Sequence, residues 1–246
     1  MKFTTSIFIV ALAGIAQAQT PQGFQPAVNT TLNVMFNATA VAVPGEKLTK
    51  AQTASQPQLA LSQQQATQST NFMFVMLDLD VPPANGSTTR RTLLHALVTD
   101  FKPTAQAMGN GTVLLQSQAR GPATYLGPSP PATDSTPHRY VEMIFAQPQT
   151  LSVTASSFSE TQSRIGFDIQ QFMQQNGLAP PVAANFFTVD GQAGGSGTGN
   201  GNGGASGTAT TTGGISRNTL QPFEGKAGRM EMGWGLAGVV GAMALV

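Results

Sequence analysis

A mainly β domain of the sandwich type, with a few short helical pieces, is the fold this sequence predicts, on three observations. Short runs of β-branched, aromatic and aliphatic residues recur, each bounded by Pro, Gly or Asn. Only one late segment carries apolar residues at helical spacing. Residues 20–190 contain no internal repeat, and the stretch is long enough for one domain with its own core.

The elements follow in chain order. Thr31 to Phe36 is the first strand-like run, and Asn71 to Asp80 the second. Within the second, Phe72 to Leu77 is continuously apolar, which predicts burial on both faces. Pro82-Pro83 and Gly86 mark the loop behind it. Thr92 to Phe101 is the third run, closed by a loop at Gly109-Asn110-Gly111, and His138 to Gln147 is the fourth. Gln52 to Thr70 is polar and Gln-rich and reads as mostly loop, with Leu59 and Leu61 touching the body. Ile165, Ile169, Phe172 and Met173 fall at i, i+4, i+7 and i+8, with Gly177 as C-cap and Pro180-Pro181 beyond, so one helix is expected there.

The two ends read as processing signals. Residues 1–18 resemble a secretory signal: Lys2 supplies the charge, Ile7 to Ile15 the apolar run, and Ala16-Gln17-Ala18 the cleavage site. That run is too short to span a bilayer. Residues 191–232 form a Gly/Ser/Thr-rich linker and spacer without apolar periodicity, expected to be a disordered tail that holds the domain off a surface. Residues 233–246 are an uncharged apolar tail, preceded by a spacer with Glu224, Lys226, Arg229 and Glu231 and by small residues near Gly213, Gly214 and Ser216. Small site, spacer and apolar tail is the pattern of a GPI-attachment signal, which places the chain at the cell surface on the plasma membrane. Sequons at Asn29, Asn37, Asn85 and Asn110 suit a secreted glycoprotein.

Composition narrows the partners. Cysteine is absent, so no disulfide staples the fold. Residues 20–190 carry eight Lys/Arg against nine Asp/Glu, a net charge of −1 without a basic patch, which argues against nucleic acid.

The chemistry concentrates in a small set of residues. Asp78-Leu79-Asp80-Val81-Pro82 ends the second run, and by strand alternation its two carboxylates share a face. Unpaired, they would be costly at a sheet end. His95 lies in an otherwise apolar strand, and His138 and Tyr140, two residues apart, face the same way. Plainer readings exist for each: a capped strand ending for the aspartates, a satisfied core position for His95, a rigid turn for Pro130-Pro131, and a structural ion pair for Arg139. It is their combination that points to a pocket.

In order, D-x-D-x-P, a strand histidine, Tyr125-x-Gly127 followed by Pro130-Pro131, and His138-Arg139-Tyr140-Val141 resemble the phosphatidylethanolamine-binding protein family, which includes Raf kinase inhibitor proteins and plant flowering-time regulators. The likeness covers about residues 25–190 and includes Pro181 to Phe187. It implies a β-sandwich with a small anion-binding pocket at one end, lined by Asp78, Asp80, His95, Ser129, Pro130, Pro131, His138 and Tyr140. Three departures stand out: Ser129 where many members have glycine, Leu94 where a second histidine often stands, and the composition of Ala132 to Pro137. The implied ligand is a phospholipid headgroup or a small phosphate-type anion. His and Tyr groups and turn N–H groups would donate to the phosphate, and the aspartates would accept from an amine.

No catalytic residue, metal ligand or cofactor is assigned. The carboxylates at i, i+2 leave no room for the water of inverting glycoside hydrolysis. The histidines lack metalloprotease spacing, and no G-x-S-x-G elbow, P-loop or dinucleotide fingerprint occurs. The first alternative to headgroup binding is inhibition of an extracellular or vacuolar-type serine carboxypeptidase, since some relatives inhibit peptidases; a metal- or carboxylate-dependent hydrolase ranks behind it.

Overall fold

The structure, a computed structural model, describes residues 18–84, 86–108 and 111–192. The signal-like run before Ala18, the sequons Asn85 and Asn110, the linker from Ala193 onward and the apolar tail lie outside the described residues. Among the described residues, ten strands form a single sheet: β1 (Asn33–Phe36), β2 (Thr39–Ala40), β3 (Glu46–Leu48), β4 (Gln58–Ser62), β5 (Phe72–Val81), β6 (Arg91–Met108), β7 (Thr112–Gln116), β8 (Pro122–Ala123), β9 (His138–Ala146) and β10 (Ala183–Val189). Nine of them run in the order β2-β1-β4-β7-β6-β5-β9-β10-β3, and β8 pairs on β6.

The sandwich arises because this sheet curls over itself. The first part of β6 pairs with β5, and its end pairs with β7, so one long strand serves both layers. Asp100, at φ 62°, interrupts β6 and is held by Gln147, whose side chain accepts from Asp100 N–H at 2.7 Å. On the far side, Leu32 N–H donates to Ala184 O at 2.8 Å and Ala184 N–H donates to Thr30 O at 2.9 Å. The N-terminal segment therefore touches β10 and draws the curl shut.

The continuous apolar run of β5 has a direct explanation. Phe72, Phe74 and Met76 face the core between the layers, where they meet Leu32, Phe36, Leu59 and Phe187. Met73, Val75 and Leu77 point outward into a second core with Val28, Phe145, Ile169 and Phe172. Each fully buried side chain of this size contributes about 1.5–3 kcal/mol of transfer free energy, so both faces are needed in a chain with no disulfide.

Three short α-helices among the described residues complete the fold: α1 (Gln63–Ala66), α2 (Thr161–Arg164) and α3 (Ile169–Asn176). In α3 the Asp168 carboxylate accepts from the N–H groups of Gln170 and Gln171, and Gly177 closes the helix at φ 61°. Ile165 falls short of this helix and instead bridges Leu93. Gln52 to Thr70 is loop for about half its length and carries β4 and α1 in between: Leu59 and Leu61 sit on β4 between β1 and β7, and Ser62 caps α1 through a reciprocal bond with Gln65. β3 and β8 leave little trace in the residue pattern because they are three and two residues long.

Candidate functional site

Asp78, His95, His138 and Tyr140 come from three adjacent strands at one end of the sheet. Asp78 on β5 stands opposite Tyr140 on β9. His138 and Tyr140 share the inner face of β9, and the His95 ring on β6 meets Tyr140 edge-on, with centroids 5.2 Å apart. Tyr140 in turn stacks on Phe187 of β10 at 5.3 Å. Together with Ser129, Pro130 and Pro131, these four side chains line a cavity of about 330 Å³. Val81, Pro82, Leu93 and Leu126 give it mainly apolar walls, and Thr161 stands at its edge.

The polar groups are wired in a specific order. His138 Nδ1 lies 2.7 Å from Asp78 Oδ2, and its Nε2 lies 3.0 Å from Asp134 Oδ2. Burial resists a charge on His138, but hydrogen bonds and attraction from both carboxylates prevail and raise its pKa. Both of its nitrogens are thus committed to carboxylates. Asp134 is gripped by a two-pronged Arg90 guanidinium at 2.7 and 2.9 Å, which holds its carboxyl well below the usual range. Arg90 also donates to the Asp80 carbonyl.

His95 is wired differently. Its Nδ1 lies 2.8 Å from the Leu126 carbonyl, which can only accept, so Nδ1 carries the hydrogen. Burial lowers its pKa, against smaller opposing pulls from the Leu126 carbonyl and Asp78. His95 Nε2 is buried and has no hydrogen-bond partner, although Asp78 Oδ2 is 3.9 Å away. The Tyr140 hydroxyl is also buried without a hydrogen bond of normal geometry. Burial, followed by the nearby Asp78 carboxylate, raises its pKa.

The structure places Asp80 elsewhere. Its carboxylate accepts from Arg139 Nε and Nη2 at 2.8 Å each and from Arg139 N–H at 2.9 Å, and it does not line the cavity. Burial pushes the Asp80 pKa upward, but these bonds outweigh it and leave the group lowered. Both aspartates are buried and flank Leu79, which packs into the outer core, so the alternation of β5 holds through them; what occupies Asp80 is its pairing with Arg139. Asp78 Oδ1 accepts from Asp80 N–H at 2.7 Å. Arg139 is the ion-pair residue its position suggested.

Sequence reasoning missed several residues. Arg90 and Asp134 lie 44 positions apart with no shared motif, so no local signal couples them. Gly191 supports the Pro130-Pro131 turn from behind: a Cβ there would stand 2.0 Å from the Pro131 carbonyl oxygen. Among the described sequons, Asn29 and Asn37 are exposed.

A family model described as phosphatidylethanolamine-binding protein matches residues 38–187. The chain belongs to the phosphatidylethanolamine-binding protein family. Its similarity to the phomoidride biosynthesis cluster protein N of Talaromyces stipitatus is 37% identity over 197 residues, covering 74% of this chain and 96% of that protein. The 26 kDa secreted antigen of Toxocara canis is 30% identical over 146 residues, covering 58% of this chain and 50% of the antigen. Among solved structures, a carboxypeptidase Y inhibitor complexed with its cognate proteinase is similar at TM-score 0.49 and 24% identity, covering 67% of this chain and 84% of that one. A putative family homolog from Chlamydia trachomatis is similar at TM-score 0.40 and 16% identity, covering 65% and 97%. The mainly β fold is that of the phosphatidylethanolamine-binding protein family.

Proposed function

We propose that this member of the phosphatidylethanolamine-binding protein family binds phosphate-bearing small molecules or phospholipid headgroups in the cavity of Asp78, His95, His138 and Tyr140, without chemistry of its own. One observation carries the reading: two buried polar atoms, His95 Nε2 and Tyr140 Oη, lack partners in a mostly apolar cavity of about 330 Å³. Leaving such atoms unsatisfied costs about 1–3 kcal/mol each, and a polar headgroup would satisfy both. The Ser129-Pro130-Pro131 turn forms part of the cavity wall.

Calorimetric titration of the full chain with phosphoethanolamine tests it. Saturable binding that weakens at least tenfold in Tyr140→Phe is expected, because the variant keeps the ring packing and removes only the hydroxyl. Absence of heat with phosphoethanolamine and with inorganic phosphate would sink the reading. Inhibition of a serine carboxypeptidase that persists undiminished in Tyr140→Phe would move the function to the outer surface.

The site would act outside the cell, on a glycosylated domain tethered through a GPI anchor. The support for this lies in the terminal signals and the four sequons. Release of the chain from cell membranes by a phosphatidylinositol-specific phospholipase C is the expected outcome, and retention after treatment would remove the anchor.

A further inference from the structure

Resting on the secretory reading above, we propose that Gln19 becomes the first residue of the mature chain and closes to pyroglutamate, a neutral lactam seated against the outer core of the domain. Ala16-Gln17-Ala18 places leader cleavage directly before Gln19. Exposure changes at the same peptide bond: Ala18 is exposed, whereas Gln19 is 5% and Thr20 3% exposed. Cleavage therefore leaves the new terminus at a buried position.

That position is tied into the fold. Gln19 N–H donates to the Val28 carbonyl at 2.8 Å, and Val28 N–H donates to the Thr20 hydroxyl at 3.2 Å. The two bonds close a loop over residues 19–28. Val28, itself buried, and Phe24 carry this loop onto the outer core with Leu77, Ile169 and Phe172.

Cleavage turns the Gln19 backbone nitrogen from an amide into an α-amine. In water such an amine has a pKa of about 7.7–8.0 and holds its proton near neutrality. At a buried position the charged form loses its hydration, and the neutral Val28 carbonyl is a poor substitute for a counter-ion. Burial favours the unprotonated amine, and that is the form able to attack a carbonyl carbon. Glutamine carries its own target, because its side-chain amide lies within reach of a five-membered ring. The α-nitrogen bonds to Cδ, the Cδ–Nε2 bond breaks, and Nε2 leaves as ammonia with one of the amine hydrogens. The step is an intramolecular amide exchange, so no oxidant, metal or second substrate enters. The ring keeps one N–H and one carbonyl and has no charge. Ala18 or Thr20 at the terminus would leave the charge in place, since neither has an amide side chain.

The full chain, expressed with its own leader in a secreting eukaryotic host, tests this. Pepsin digestion at acid pH keeps any free amine protonated, so no ring closes during handling. The amino-terminal peptide should begin at residue 19 and be lighter than its glutamine form by one ammonia. Pyroglutamyl aminopeptidase should remove the ring from that peptide and fail on the native chain, where the ring is buried. Gln19→Asn, which cannot close a five-membered lactam, should keep a free amine and unfold at a lower urea concentration than the wild type. Selective acetylation of that amine, which removes the charge without adding a ring, should recover most of the loss; a defect of side-chain packing would not respond. An open Gln19 amine, or a peptide beginning at Thr20 or later, overturns the proposal and leaves secretion standing. A peptide that still carries the leader overturns both. Removal of the ring from the native chain as fast as from the peptide, or no recovery on acetylation, overturns its seat in the fold.

Discussion

Glu142 stands where a charge cannot be sustained. It is 0% exposed, both carboxyl oxygens lack partners, and on β9 it follows Tyr140 on the same inner face. Its cross-strand neighbours are Met76 and Asn185. Burial raises its pKa well above the ordinary value, so near neutrality the group is retained as the acid. The sign of its contribution follows. An unfolded glutamate ionises near a pKa of about 4.3; below that pH both states are protonated and Glu142 adds no pH-dependent term. Above it the unfolded chain gains by ionising and the folded chain does not, so the residue penalises folding increasingly up to the folded pKa. Glu142→Met should therefore stabilise the domain at all pH by the about 1–3 kcal/mol that an orphan polar group costs, and by more near pH 7, where the lost ionisation adds to it. In urea denaturation the gain should shrink toward pH 4. A gain independent of pH would mean that the carboxyl ionises freely in the fold.

At the scale of elements, the turn from Gly127 to Pro137 is held in place by Asp134, which links it to Arg90 ahead of β6 and to His138 at the start of β9. The pKa of His138 is raised in the fold, so its stabilising contribution is complete below the unfolded value near 6.5 and is lost as pH rises through the folded value. Asp134 works in the opposite direction: with its pKa lowered, its contribution is present above the unfolded value of 3.8 and fades as pH falls. The two define a stable window across mildly acidic to neutral pH. Asp134→Asn should lower the His138 pKa while Asp78 keeps it above that of His95, as read from the imidazole proton shifts against pH. An unchanged His138 titration would show that Asp78 alone fixes its charge. This link was illegible in the sequence, whereas the scarcity of histidines and tyrosines made the main cluster conspicuous. Alternation along β5 put both aspartates on one face, but the partner that occupies Asp80, Arg139, lies 59 positions away and is not contained in the strand's own residue order.

Across the whole molecule, the four long runs were legible because both faces of β5 and β9 are buried and their ends carry strong breakers. The curl was not, because it depends on β6 serving two layers and on Thr30 to Leu32 reaching β10. Asn185 locks that closure. It is buried, its Nδ2 donates to the carbonyls of Leu32 at 3.1 Å and Val41 at 3.2 Å, and its Oδ1 accepts from Phe186 N–H at 2.8 Å. Asn185→Val would leave two carbonyls and one N–H without these partners, at about 1–3 kcal/mol for each group that water cannot reach. The same strand carries Phe187, on which Tyr140 stacks, so slackening the closure should loosen the floor of the cavity as well. The expected result is a fall of several kcal/mol in unfolding free energy together with weaker phosphoethanolamine binding, although Asn185 does not line the site. Urea denaturation followed by titration of the folded variant measures both. If stability falls while affinity holds, the seam at β10 and the cavity are energetically separate, and the cavity owes its shape to β5, β6 and β9 alone.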